Sequence, residues 1–172
     1  MGSTLIVDNI QGATTAANVK MPAGHVVQVV QHEDTTVYTN ATTSAAQGPQ
    51  TNTFTLKNSS NKVLVTVNCC TRVTRNTSSG IRLAIYRGSV ASGTRITAGG
   101  EPQVYTQDSG TEQYAIVTMQ YLDTPNAAST TYSLGFWKHP SSTTSQIKGD
   151  FVTTIITMQA VSYTHLTLPT KA

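Results

Sequence analysis

The sequence predicts an all-β fold, an antiparallel β-sandwich or jelly roll with an extended N-terminal arm, and three observations predict it. Apolar residues recur with a period of two in several short runs, which sets them on one face of a pleated strand. No stripe at i, i+3, i+4, i+7 persists for three turns, so helix content is expected to be very low. The 172 residues include 31 Thr and 15 Ser, a composition that favours strands over helix.

Taken in order, Met1 to Gln11 is extended by pattern, with Leu5 and Val7 against Ile6, Asp8 and Ile10. Such a short apolar arm has little to bury against within its own domain, and it reads as an attachment or oligomer-forming segment, with residues 1–20 set apart from a β-domain at 21–160. Met21-Pro22-Ala23-Gly24 is a turn. His25 to Gln31 (HVVQVVQ) is a strand. Residues 33–50 hold a weak strand near Thr36 to Thr39 and then a loop ending at Gly48-Pro49. Thr51 to Lys57 alternates as a strand, and Asn58-Ser59-Ser60-Asn61 turns the chain.

The centre of the core is expected in two runs, Lys62 to Thr71 and Ile81 to Arg87. Val63, Val65 and Val67 share one face of the first, and Ile81, Leu83 and Ile85 one face of the second. The intervening Asn, Ser and Gly residues suit a connection between antiparallel strands, and the pair is read as neighbours. Ser89 to Gly100 is a Gly- and Ser-rich crossing, Gln103 to Thr106 a short strand, and Asp108-Ser109-Gly110 a turn. Gln113 to Leu122 (QYAIVTMQYL) carries Ala115, Val117, Met119 and Tyr121 on one side, and Asp123-Thr124-Pro125-Asn126 stops it. Thr130 to Lys138 points Tyr132, Leu134 and Phe136 one way, and Asp150 to Gln159 is the last strand, for nine or ten in all. Residues 161–172 are read as a non-native tail, because SYTHLTLPT resembles translated sequencing adapter; His165 is therefore left out of any site.

A chain of this length buries a core without staples. It has no run of 18 apolar residues and hence no expected membrane span, and its first residues do not have the pattern of a secretory signal. Cys69 and Cys70 are adjacent, so their side chains point to opposite faces of a strand; two free thiols are favoured over a strained vicinal disulfide, which suits a reducing compartment. His25, His32, His139 and His165 show no metal-ligand spacing.

Between Thr35 and Gly100 there are seven basic residues (Lys57, Lys62, Arg72, Arg75, Arg82, Arg87, Arg95) and no acid, whereas Glu101 to Asp150 holds five acids and two lysines. That asymmetry serves either a basic face for an acidic glycan or phosphate-rich surface, or charges that dress the solvent faces of strands or pair between subunits. Nucleic-acid binding is not expected, since the basic residues are not interleaved with stacking aromatics.

The sequence contains no nucleophile elbow, zinc-protease, P-loop or dinucleotide motif, and no cofactor is expected. A polysaccharide-cutting carboxylate pair would have to come from Glu101, Asp108, Glu112 and Asp123, of which Asp108 and Asp123 are explained by turns. A Cys69 nucleophile with His25 or His139 is disfavoured by the apolar strand around the thiol. Candidate surface-receptor contacts are Trp137, His139, Tyr105 and Arg95. Trp137 lies at a strand end beside Lys138 and His139, where an indole can stack on a sugar ring; the alternative is that it packs in the core or in a subunit interface. Tyr105 has the same two readings, and the loops at Thr42 to Gln47 and Ser89 to Gly100 are either adaptable contact surfaces or plain connections.

The succession STLIVDNIQ, MPAGHVVQVV, FTLKNSSNKVLVTV, LAIYRGS and YLDTPNAASTTYSLGFW resembles small tail-fibre-like structural proteins of marine bacteriophages. That group runs from a start such as STLKVDTIQ through an LPAG turn and VVQVV strand, a lead into SASNKILV, an L-x-R-G hairpin and an LDSP turn. The resemblance covers Ser3 to about Gln159; it departs at Lys57-Asn58, where the group has a proline-bearing lead, across residues 33–49, and at the C-terminus. It implies a virion component assembled in the host cytoplasm, a homo-oligomer with a trimer favoured, at the tip of a tail fibre beside other fibre or baseplate proteins. The expected function is non-enzymatic adhesion to a host-surface glycan, with a purely architectural virion part and a secreted lectin-like module as the alternatives.

Overall fold

The computed structural model describes residues 24–74, 78–97, 103–107 and 112–162. The strands are β1 (Val26–Asp34), β2 (Val37–Asn40), β3 (Ala46–Gln50), β4 (Phe54–Thr55), β5 (Lys62–Thr74), β6 (Ser79–Arg87), β7 (Thr94–Arg95), β8 (Val104–Thr106), β9 (Glu112–Asp123), β10 (Ser129–Thr130), β11 (Tyr132–Lys138), β12 (Ser145–Lys148) and β13 (Thr154–Val161). There is no helix among the described residues, and every pairing is antiparallel. The expected all-β sandwich is what forms. The arm, residues 163–172 of the expected tail, the turn at 108–110 and Arg75 lie outside the described residues. The start of that tail is corrected: Val161 is the last residue of β13, and Ser162 hydrogen-bonds the backbone of Gly24 and His25.

One sheet is built on β5. β9 runs along one of its edges from Val63↔Asp123 to Thr74↔Glu112, while β13 and β12 lie end to end along the other. β1 lies outside β13 and β2 outside β12. The second sheet has the order β3-β11-β6, with β7 and β8 at opposite ends of the outer edge of β6. A two-residue pair, β4 with β10, closes one side.

The period-two reading of the core holds in detail. Val63, Val65, Val67, Ile81, Leu83, Ile85, Tyr132, Leu134 and Phe136 are all buried in one cluster, which also takes in Ile147, Ile156 and Met158. The expectation that β5 and β6 pair is corrected, because they follow one another in the chain but lie in different sheets, facing each other across the core. Apolar alternation fixes which way a strand faces, not which sheet it joins.

Other corrections have local causes. The loop expected to end at Gly48-Pro49 is strand β3, whose pairing with β11 shifts register between Ser133 and Gly135. Proline is tolerated there because β3 is an edge strand with an irregularity. Gly48 is required by close approach, since a Cβ would lie 2.6 Å from the Leu134 carbonyl oxygen. The strand expected over 51–57 shrinks to β4, because the Thr51 hydroxyl takes over as acceptor for the Tyr132 N–H (3.0 Å) and interrupts a regular ladder. The strand expected from Asp150 begins only at Thr154; the Phe151 and Val152 N–H groups turn back to the Lys148 carbonyl, each at 3.1 Å. β12 and β7 were not expected, and the strands number thirteen among the described residues.

The outer face of the second sheet carries a small apolar cluster of its own: Ala84, Tyr86 and Trp137, with Val90 packed on it. Gly135 makes room for it, since a Cβ there would stand 2.5 Å from Tyr86 Cε2 and 3.1 Å from Val90 Cγ2. Gly135→Ala should therefore cost about 1–3 kcal/mol by displacing Tyr86 and the segment over it, as read by urea denaturation.

Candidate functional site

The site is built where β11 ends and β6 begins, among the connections leaving β2 and β11. Asn40 fixes the first of these: its Nδ2 donates to the Ser44 and Phe136 carbonyls, each at 2.9 Å, and its Oδ1 accepts from the Thr42 N–H and hydroxyl, each at 2.8 Å. The connection after β11 is fixed by Lys138, whose Nζ donates to the Pro140 and Ser142 carbonyls at 3.2 and 2.8 Å. Gly80 ties these to the second sheet. Its carbonyl accepts from the His139 N–H (2.9 Å) and the Ser142 and Ser145 hydroxyls (3.0 and 3.1 Å), while its N–H donates to Ser142 Oγ (2.7 Å). With its polar groups satisfied, this is a rigid frame.

Two of the expected contact residues meet on it. Tyr105 on β8 is the cross-strand partner of Gly80, and His139, the first residue after β11, bonds the same glycine through its N–H. With no side chain on Gly80 between them, the rings come edge to face, centroids 5.3 Å apart and planes at 74°. Tyr105 remains 41% exposed. The register adds Arg82, two residues along β6 on the same face and directly opposite Trp137. Its buried Nε–H has no hydrogen-bond partner among the described residues. Arg82 was read from sequence only as one of the basic residues; the signal that could have found it is alternation, since Ile81 and Leu83 facing the core turn Arg82 outward.

The other two candidates fall elsewhere. Trp137 shares the outer face but is 6% exposed, under Tyr86 and Val90. The cover is clamped: the Val90 N–H donates to Gln47 Oε1 at 2.8 Å, the Gly93 N–H to the Ser89 carbonyl at 2.7 Å, and Gly88 adopts a φ of +85°. Of the two readings of Trp137 the packed one applies, and this part of the Ser89 to Gly100 crossing is a cover with a fixed seat. Arg95 pairs with Tyr86. Six residues along β6 from Gly80, it is roughly 20 Å from the Tyr105–His139 pair at about 3.3 Å per strand residue.

The basic residues do not form one face. Arg72 lies on the β5 sheet, paired with Glu112 and bonded to Gln146 Oε1 at 2.7 Å, whereas Arg82 and Arg95 lie on the opposite sheet. At the other end of the sandwich Arg87 approaches buried Asp123 (3.6 Å), whose carboxylate accepts the Tyr132 hydroxyl at 2.9 Å. Burial, then the charge of Asp123 and the bond to it, push the Tyr132 phenol well above its ordinary value. Of the acids considered for carbohydrate cleavage, Glu112 and Asp123 stand at opposite ends of β9, far beyond the spacing of a catalytic pair, and Glu101 and Asp108 lie outside the described residues. No group of metal-binding side chains occurs among the described residues, and no helix among them is long and apolar enough to cross a membrane.

Both cysteines are free and buried, Cys69 in the core and Cys70 on the outer face of β5. Burial, with Cys70 beside it, pushes the Cys69 thiol from 9.0 up to about 12. A group whose folded pKa is raised contributes stability that is fully present below its unfolded value and is lost as pH climbs toward the folded one. Denaturation midpoints should therefore fall between pH 9 and 12. The fall should be less steep in Cys69→Ala, and equal slopes would contradict the assignment.

No family model and no curated protein matches the sequence. Among solved structures the chain is similar to one described as "Bacillus endospore appendages form a novel family of disulfide-linked pili", with 14% identity over 84% of this chain and 99% of that one, at a TM-score of 0.36. A likeness that distant carries no functional argument. What the fold and site define is a class: an antiparallel β-sandwich presenting an exposed tyrosine and a histidine on a hydrogen-bonded frame at one end.

Proposed function

We propose that the protein is a non-enzymatic fibre-tip adhesin of a bacteriophage virion, holding a host-surface glycan at the Tyr105–His139 end of the sandwich. The observation that carries this is the pairing of an exposed aromatic ring with an imidazole on a frame whose own polar groups are already bonded to one another. A sugar presents an apolar C–H face and a rim of hydroxyls. Tyr105 supplies a surface for the first, and the tyrosine hydroxyl, the imidazole and Arg82 supply polar partners for the second. Arg82 would favour a sugar bearing a carboxylate or sulfate. The resemblance to marine phage fibre proteins supports the virion setting and the trimer, and the satisfied frame supports preorganised recognition.

Tyr105→Ala should weaken binding to a responsive glycan at least tenfold on an array while leaving the free energy of unfolding within about 1 kcal/mol of the parent, because the exposed ring gives up little more than its edge contact with His139. Unchanged binding would remove the site from the account. A second reading, a purely architectural virion part, is favoured by the long edge of β9 that no described strand covers. It gains if neither a glycan array nor a panel of marine bacterial cells retains the oligomer.

A further inference from the structure

The two outer edges of the β5 sheet differ in a way that points to a partner. β1, on one side, has a register shift between Val26 and Gln28 and ends in His32, Glu33 and Asp34; irregularity and charge of this kind discourage further pairing. β9, on the other side, pairs among the described residues only with β5, runs in continuous register along its whole length, and carries no charge or proline between Glu112 and Asp123. Apolar side chains occur on both of its faces, interrupted on the outward one by Thr118 and Gln120. Outward it shows Tyr114 and Ile116, the latter 56% exposed, continuous with Phe151 at 68%. Tyr114 and Phe151 pack ring to ring at 5.2 Å, flanking a groove of about 180 Å³ floored by Cys70. On the inward side Val117, Met119 and Tyr121 are only partly covered, since the second sheet is narrower at this edge. A long, regular, uncharged strand with one row of backbone groups unpaired is an acceptor for another strand.

We infer that the occupant of the β9 edge is the segment Ser3–Gln11 of a second copy of this chain, added as an antiparallel strand. This rests on the reading above only in treating the protein as part of an assembly. The segment, STLIVDNIQ, alternates Leu5 and Val7 with Ile6 and Ile10, so as a strand it would carry apolar side chains on both faces, as β9 does. Its nine residues would cover three quarters of the 12 of β9, and its single acid, Asp8, breaks only one of the two faces.

Where the chain enters the sheet argues for a neighbour's segment over its own. The start of β1 is anchored at the β1 edge, the Gly24 N–H donating to the Ser162 carbonyl at 2.9 Å and the Ser162 N–H to the His25 carbonyl at 2.8 Å. From there the far side of β9 is four strand spacings away, about 19 Å. Antiparallel docking in the same molecule would put Gln11 at the Glu112 end of β9, a further ~30 Å along the strand. The link 12–24 reaches at most about 43–47 Å fully stretched and would have to travel around the outer face. Within one chain only a parallel strand is within easy reach, in a sheet whose pairings are otherwise all antiparallel. Leaving at one edge and docking on the opposite edge of the next copy is a head-to-tail arrangement, which gives a ring where the rotation closes, three copies included, and an open fibre where it does not.

The test compares the mass in solution, by size exclusion with light scattering, of the intact chain, of the chain begun at Gly12, and of Ile116→Lys/Leu122→Lys, two exposed positions on β9. The intact chain should be oligomeric and both variants monomeric with unchanged circular dichroism. Fluorescent peptide of residues 3–11 should bind the chain begun at Gly12, and at least tenfold more weakly when the two lysines are also present. A monomeric intact chain, a truncated chain that keeps the parent mass, or peptide binding indifferent to the lysines would each overturn the inference. The peptide arm decides the matter even where a variant aggregates. Loss of glycan binding by an intact oligomer would sink the adhesion reading and leave this one standing.

Discussion

Trp137→Ala is expected to lower folding stability by about 3–5 kcal/mol, the range for truncating a buried large aromatic, and to do so whether or not a glycan is present. The indole is 6% exposed beneath Tyr86 and Val90, and Gly135 opens the space that Tyr86 occupies. Removing it leaves a void under a segment held by the Val90 N–H on Gln47 and, past Gly93, by the pairing of β7 with β6, which limits collapse. Chemical denaturation reads the loss directly. Tyr105→Ala is the matched control. It removes an exposed ring two positions along the outer face and should change binding with little change in stability. Should Trp137→Ala instead keep the parent's stability and lose only binding, the indole would be a contact residue after all.

Asp123→Ala is expected to cost about 2–4 kcal/mol at neutral pH. Its carboxylate is the acceptor for the buried Tyr132 hydroxyl, at 2.9 Å, and faces Arg87 at 3.6 Å. The main penalty is the phenolic O–H left without an acceptor, about 1–3 kcal/mol. Loss of the Arg87 attraction adds less, because that side chain is 30% exposed and its charge is screened by solvent. Tyr132→Phe should cost less than Asp123→Ala, since the carboxylate keeps Arg87, and the double variant should fall short of the sum. Additive losses in that cycle would mean the three groups do not act together.

The inward faces of the strands were readable because a half-buried strand has to alternate: Val63, Val65 and Val67, then Ile81, Leu83 and Ile85, then Tyr132, Leu134 and Phe136 all enter one core. Strand partners were not readable, since alternation is the same whether β6 joins β5 or faces it from the other sheet. β3 escaped notice because Gly48-Pro49 signals a turn in isolation, and only the Leu134 carbonyl pressing on Gly48 explains a strand there. Of the four candidate contacts, Tyr105 and His139 converge because both address Gly80, a cross-strand relation that residue spacing does not encode. Arg95 sits at the far end of the same strand edge, and Trp137 is hidden by a cover whose anchor, Gln47, is distant in sequence.

The central claim is that the Tyr105–His139 end holds a surface glycan while the β9 edge holds the copies together. A glycan array probed with the intact oligomer and with its Tyr105→Ala form, each checked for mass, tests it most directly. The account predicts a defined set of glycans, weighted toward acidic sugars, retained by the parent and lost by the variant at unchanged oligomer mass. A parent that retains nothing, or a variant that retains the same set equally well, would contradict it.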